Sequence, residues 1–246
     1  MIRRIAPEAP IVDVTHGITR HGVRHGALVL AASLPYMPLG VHVAVVDPQV
    51  GTERRAVAVR CDDGRLLVGP DNGVLSLAWE RAGGAVEAVD VSRSPFRLEP
   101  VSATFHGRDV FAPVAAHLAA GAELAEAGDP LDPAELVALE LPAPRVEDGS
   151  VVAHALVVDG FGNVALDLRH QHLLELGLVI GAAVAVRVAH LERRAVFVQT
   201  FADVPPGELL IYEDAWGYVA LAVNRGDAAA ELSLGADDEL RIAPAP

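Results

Sequence analysis

At 246 residues, 52% of them hydrophobic, and with a mean hydropathy of +0.34, the chain holds enough apolar material for one large core or two moderate ones. A formal net charge of −14 and a pI near 5.0 exclude a surface that tracks phosphates, so nucleic acid is not an expected partner. Lysine is absent, which excludes a Walker lysine, a Schiff base and a pyridoxal phosphate site, and the lone Cys61 excludes disulfide frameworks and thiolate zinc clusters and suits a reducing, cytoplasmic compartment.

In chain order, "APIVDVTH" reads as a strand, "HGALVLAASL" as a buried helix and "GVHVAVVD" as a buried strand. Residues 26–46 carry no Asp, Glu, Lys or Arg, but Pro35, Pro38 and Gly40 interrupt them, so no membrane span and no signal peptide are expected. "RRAVAVRCDDGRLLVGP" reads as a hairpin with Cys61 in the core, "NGVLSLAWERAG" as a helix and "AVEAVDVS" as a strand. "GRDVFAPVAAHLAAG" reads as a helix capped near Gly121. This alternation predicts an α/β domain over 1–140 with a central sheet between helices. "LELPAPRVEDGS" reads as a linker, placed at 141–150. From 151 to 246 short valine-rich strands with turn signals, and one short helix at "HQHLLELG", predict an all-β, barrel-like domain.

His16, His21 and His25 have a spacing open to metal ligation, but they straddle a strand end and a glycine-rich loop with no acidic residue at a ligand-like spacing, so no metal is expected. The pair at His170 and His172 is read as surface. "GFGNVA" matches a dinucleotide pattern in letters only, since "LDLRH" after it does not open a long helix, and NAD is excluded. Three stretches point to a site. "VVDPQVGTERR" puts Asp47 where a strand leaves the sheet, "LLVGPDNGVLS" repeats that arrangement at Asp71-Asn72-Gly73, and "TFHGRDV" puts His106 in a turn before a helix. Each alone is explained as a cap or a turn; together they place Asp, Arg and His on loops of one domain.

"DVTH" at 13–16, "VVDPQVGTERR", "VGPDNGVLS", "TFHGRDVFAP", "DGFGN" at 159–163 and "GYVALAVNRGDAA" at 217–229 occur in the order seen in S-adenosylmethionine hydrolases, also called hydroxide adenosyltransferases, and the chain resembles that family over nearly its whole length. The resemblance implies a mixed-sheet α/β domain, a β-barrel, and a homotrimer with active sites between one subunit's N-terminal domain and its neighbour's C-terminal domain. It implies conversion of S-adenosylmethionine and water to adenosine and L-methionine, with no cofactor beyond the substrate. Asp47, Arg54 and His106 match the family's triad around the attacking water, with the proton acceptor left open. Asp159, Phe161 and Asn163 match residues that hold the methionine and purine portions, and Phe201 matches an aromatic near adenine; Ala215 and Trp216 fall in the same substrate region, with Trp216 suited to stack on the base. Barrel core is the competing reading of Phe161 and Phe201.

The related fluorinating and chlorinating enzymes have tyrosine at the positions of Asp47 and His106, and the fluorinating branch has a hydroxyl residue at Gly107 and an inserted loop without a counterpart here. A buried carboxylate repels a halide, so hydrolysis is expected over halogenation. Ala215 stands where the family commonly has serine and Gln49 where it has glycine, so Gln49 must avoid positive φ. Relatives also begin with a strand and an Asp-Phe-Gly turn ahead of the equivalent of "RRIAPEAPIVDVTH", including a ribose-binding aspartate; "MIRRIAPEAP" has no counterpart to it, which raises the alternative of an impaired, substrate-binding protein.

Overall fold

The computed structural model describes residues 1–245, so Pro246, at the end of the expected barrel domain, lies outside the described residues. The chain divides into two compact units, Met1–Leu139 and Glu140–Pro246.

The first unit runs α1 (Ile2–Ile5), α2 (Val23–Ser33), β1 (Val41–Val43), β2 (Ala56–Cys61), β3 (Leu66–Pro70), α3 (Ser76–Arg81), β4 (Ala85–Asp90), α4 (Ala112–Ala119) and β5 (Asp129–Leu131). Its strands form a mixed sheet in the order β1-β3-β2-β4-β5, parallel only between β1 and β3. Alternation along β2 explains the layering. Val57, Val59 and Cys61 pack with Leu30, Leu75, Ala78 and Trp79 of α2, α3 and the turn before α3, while Ala56 and Ala58 face Phe111, Val114 and Leu118 on the α4 side. Helices therefore cover both faces, as the apolar runs predict. At one sheet edge the ends of β1 and β3 and the start of β2 come together, because β1 and β3 are parallel and Ala56 pairs with Pro70. That is the edge where open α/β sheets bind ligands.

One predicted strand does not form. Residues 9–16 are irregular and exposed, with Val12 62% and Val14 48% accessible. Their alternation fits a strand, but a strand persists only with a ladder partner, and this segment has none among the described residues.

The second unit comprises β6 (Arg145–Glu147), β7 (Ser150–Val158), β8 (Val164–Leu166), α5 (His170–Glu175), β9 (Ala183–Val188), β10 (Leu191–Phe197), β11 (Leu209–Glu213), β12 (Val219–Val223), α6 (Ala228–Leu232) and β13 (Glu239–Pro244). The described strands close a seven-membered barrel, β13-β9-β10-β11-β12-β8-β7, through the pairing of β13 with β7. β6 adds to β7 outside the ring, so residues 145–147 of the expected linker are strand rather than connection. Leu209 and Ile211 fill the barrel with Val164, Leu166, Phe197 and Leu221, whereas Leu210 points out to pack with Val198, Val204 and Ala222, and Tyr212 leans on that outer cluster. No helix among the described residues is long and apolar enough to cross a membrane.

Candidate active site

The backbone after β1 stays against β3 through Ala44 N–H to Val68 O (3.1 Å) and then turns at Asp47, closing through Val50 N–H to Asp47 O (3.3 Å) and Thr52 Oγ1 to Gln49 O (2.8 Å). Gly51 takes the positive φ of this turn, +83°, and Gln49 stays outside that region, as a residue with a Cβ must. A Cβ on Gly51 would stand 2.7 Å from Ala103 O. The glycine thus lets the loop that carries His106 lie directly on the loop that carries Asp47.

Arg54 is the centre of the cluster. Its Nε donates to Asp47 Oδ1 at 2.8 Å, its Nη2 donates closely to Asp47 Oδ2 and reaches His106 Nδ1 at 3.0 Å, and its Nη1 donates to Arg55 O at 3.0 Å. The Arg54 and Asp47 side chains are 5% and 6% exposed, and Phe111 backs the guanidinium, its ring centroid 5.3 Å from Cζ. A guanidinium has only donors, so His106 Nδ1 must accept, which places the ring proton on Nε2 and leaves the imidazole neutral. Burial, and after it the Arg54 charge, push the His106 pKa below its ordinary value against the opposing pull of Asp47 and Asp109.

His106 precedes a wide π-type turn, Gly107–Phe111, that leads into α4. Such turns accompany functional sites because they offset the side chains before them from the helical register. The buried Asp109 anchors it by accepting from Ser102 N–H (2.9 Å) and from Arg108 Nε (2.6 Å), and Arg108 holds that carboxyl below the usual carboxylate range. Arg54 and His106 also line a cavity of about 540 Å³, with Thr52, Asp90, Ser92 and Arg93, which is room for many waters beside the cluster.

The Asp71-Asn72 turn and Arg55 join this edge through partners that the sequence did not indicate. Arg55 pairs with the buried Asp71 (Nε to Oδ2, 2.9 Å) and with Glu135 (Nη1 to Oε2, 3.1 Å), and Asn72 Nδ2 donates to Val46 O at 2.8 Å. The arginine doublet and the Asp-Asn-Gly turn were the visible signals, and neither names the partner.

The other candidates lie in the second unit. Between β7 and β8, Asp159 Oδ1 accepts from Phe161 N–H (2.8 Å) and Asn163 N–H (2.9 Å), and Oδ2 accepts from Asn163 Nδ2 (2.8 Å), so Asp159 and Asn163 are brought together. Phe161 at the tip is 80% exposed and Phe201 39%. Neither is barrel core, which disposes of that competing reading. The Phe201 ring lies 4.9 Å from that of Tyr212. Burial, followed by the charges of Asp214 and Asp159, pushes the Tyr212 phenol up to about 12. Ala215 and Trp216 occupy the β11–β12 turn. Asp214 Oδ1 accepts from Trp216 N–H (2.8 Å) and Tyr218 N–H (2.9 Å), and Arg169 stacks on Tyr218 at 3.5 Å while donating to Trp216 O. Burial raises the Asp214 carboxyl above its ordinary value despite these donors.

"GFGNVA" runs into β8 and not into a helix, in keeping with the exclusion of a dinucleotide loop. His16 is exposed beside Asp13 at 3.3 Å, and among the described residues no group of three or more His, Cys, Asp or Glu is placed to hold a metal.

Residues 1–128 match the SAM hydroxide adenosyltransferase N-terminal domain and residues 153–241 its C-terminal domain. A curated relative, the (R)-S-adenosyl-L-methionine hydrolase of Salinispora arenicola, is 48% identical over 98% of this chain and 89% of its own length. The crystal structure of a conserved protein from Thermotoga maritima superposes with a TM-score of 0.88 at 39% identity, covering 98% of this chain and 92% of that one. A fluorinase from an Actinoplanes species is more distant, at 31% identity over 89% of this chain and 83% of its own.

Proposed function

Because this chain belongs to the SAM hydroxide adenosyltransferase family, we infer that it is an S-adenosyl-L-methionine hydrolase in which water displaces methionine from the ribose 5′ carbon. The products are adenosine and L-methionine. The single observation that carries the chemistry is Arg54 bridging Asp47 and His106, with the Arg54 and Asp47 side chains nearly buried.

The leaving group is a sulfonium, which departs as a neutral thioether and needs no general acid. The water oxygen bonds to C5′, the C5′–S pair goes to sulfur, and one proton must leave the water. Within the cluster, His106 Nδ1 is occupied by Arg54 and Nε2 carries a proton, so His106 is a donor. Asp47 accepts only one bond from Arg54 on each oxygen and keeps a lone pair on each. We therefore assign Asp47 as the proton acceptor, with Arg54 fixing the carboxylate and His106 orienting the water. Charge is neutralised as nucleophile and sulfonium combine, which a dry site favours. The chemistry calls for no cofactor.

For the substrate we propose Asp159 and Asn163 as polar contacts to the methionine portion, and Phe161, Phe201 and Trp216, with the small Ala215 beside them, as the purine surface. The three reacting residues lie in the first unit and these six in the second, which suits the homotrimer with inter-subunit sites that the family resemblance implies. A cytoplasmic location is part of the same proposal and is supported by the buried free thiol of Cys61. Halogenation is the rival. A carboxylate 6% exposed at the position of the nucleophile opposes a halide there.

Product analysis tests the reading. Each sulfonium epimer of the substrate, since the relatives' name specifies the (R) form, is incubated with and without chloride. Adenosine and methionine in equal amounts are expected; a 5′-chloro nucleoside, or no turnover of either epimer, would overturn it.

A further inference from the structure

Asp47 and Arg54 stand seven residues apart on a loop, yet their side chains meet in bidentate register. A register of that kind needs both backbones held from outside the loop. At this sheet edge one turn touches the two flanks of the pair. Asn72 Nδ2 donates to the carbonyl of Val46, the residue before Asp47, at 2.8 Å. Asp71 N–H donates at 2.9 Å to the carbonyl of Arg55, the residue after Arg54, and Arg54 Nη1 uses that same carbonyl at 3.0 Å. The Asp71 carboxylate, 2% exposed, takes Arg55 Nε at 2.9 Å and closes on Val137 N–H at 2.8 Å, which ties the turn to a second segment.

We propose that the Asp71–Asn72 turn positions the reacting pair: Asn72 sets the Asp47 arm and Asp71 sets the Arg54 arm. This rests on the assignment of Asp47, Arg54 and His106 to the attacking water. The topology makes the arrangement possible, since the ends of β1 and β3 and the start of β2 emerge together. Neither residue is a catalytic residue; both act through the pair. A shift of an ångström in one arm would break the bidentate bond and withdraw Arg54 from His106, and misplacements of that size lower rates by about 100-fold.

Asn72 also has a local duty, because its Oδ1 accepts from Val74 N–H at 3.2 Å. Two variants separate the duties. Asn72→Ala removes both bonds, whereas Asn72→Asp keeps the acceptor for Val74, loses the donor to Val46 and sets a carboxylate against that carbonyl. In steady-state kinetics both are expected to lower kcat by about 10- to 100-fold with KM within about three-fold of wild type. In Asn72→Ala, which adds no charge, the His106 imidazole, followed by NMR titration, should move up toward the ordinary value of about 6.5 as Arg54 withdraws. Asp71→Asn keeps the backbone bond to Arg55 O and should show a smaller fall in kcat with the same KM, so the inference stays testable if Asn72→Ala folds poorly. A lowered melting temperature with wild-type kcat and an unmoved His106 titration would overturn the inference and leave the turn a purely structural element. Asp47→Asn is run alongside. If Asp47→Asn turns over normally, the assignment of the reacting group fails and the positioning role fails with it; if it is inactive while the Asn72 variants keep wild-type kcat, only the positioning role fails.

Discussion

Arg54 Nη2 lies 3.0 Å from His106 Nδ1, and because the guanidinium can only donate, the contact exists only while the imidazole is neutral. Burial and the Arg54 charge place the His106 pKa below its ordinary value. In the unfolded chain the ring titrates at about 6.5, so the unfolded state takes up the proton first, and the native cluster loses stability as pH falls below that value toward the lowered one. The expected kcat/KM profile is flat through neutral pH with an acid limb centred below 6.5 that is lost in His106→Gln. An acid limb centred above 6.5 would contradict the assignment.

Asp47→Asn keeps the size of the side chain but removes the charge and the proton acceptor. Turnover should drop on the order of 100- to 10,000-fold, the range ascribed to general base catalysis. Adenosine affinity, read by calorimetry, should stay within a few-fold of wild type, since Asp47 faces the water and not the purine in this account.

Gly51→Ala places a Cβ at φ +83° and 2.7 Å from Ala103 O. The strain of a side chain at positive φ costs about 1–3 kcal/mol, and the clash pushes on the loop that ends in His106. A lower melting temperature together with a fall in kcat is expected. A fall in melting temperature with kcat intact would show that the docking of these two loops does not set the His106 position.

Phe161 is 80% exposed at the tip of the β7–β8 turn. Phe161→Ala should leave the melting temperature within about 1 °C, because little apolar area is returned to water, while KM rises and kcat changes little. Thermal denaturation and steady-state kinetics on one preparation check both. A marked loss of stability with unchanged KM would make Phe161 a packing residue.

The layering of the first unit was legible because β2 alternates between two apolar faces, and the barrel because Leu209, Leu210, Ile211 and Tyr212 switch sides residue by residue. The association of Asp47 with Arg54 was implied by the family resemblance of "VVDPQVGTERR", and the strand end itself marked only Asp47. What pattern could not supply was partnership across distance: His106 meets Arg54 over 52 positions and Asn72 meets Val46 over 26. In the text of the chain Asp71-Asn72-Gly73 is an ordinary turn, and only the sheet order shows which carbonyls it reaches. Residues 9–16 misled for the converse reason, since alternation marks a segment able to form a strand and is silent on whether a neighbour exists. Phe161 and Phe201 look alike as core or contact until accessibility separates the two.

The most direct measurement is hydrolysis of S-adenosyl-L-methionine in ¹⁸O-water with mass spectrometry of the adenosine formed. Water attack at C5′, with Asp47 taking the proton and never bonding to carbon, predicts label in the 5′-hydroxyl of the adenosine from the first turnover, none in the methionine, and none in the Asp47 carboxylate. Unlabelled adenosine in the first turnover with label accumulating in the Asp47 carboxylate would mean that the carboxylate itself attacks carbon, and would contradict the account.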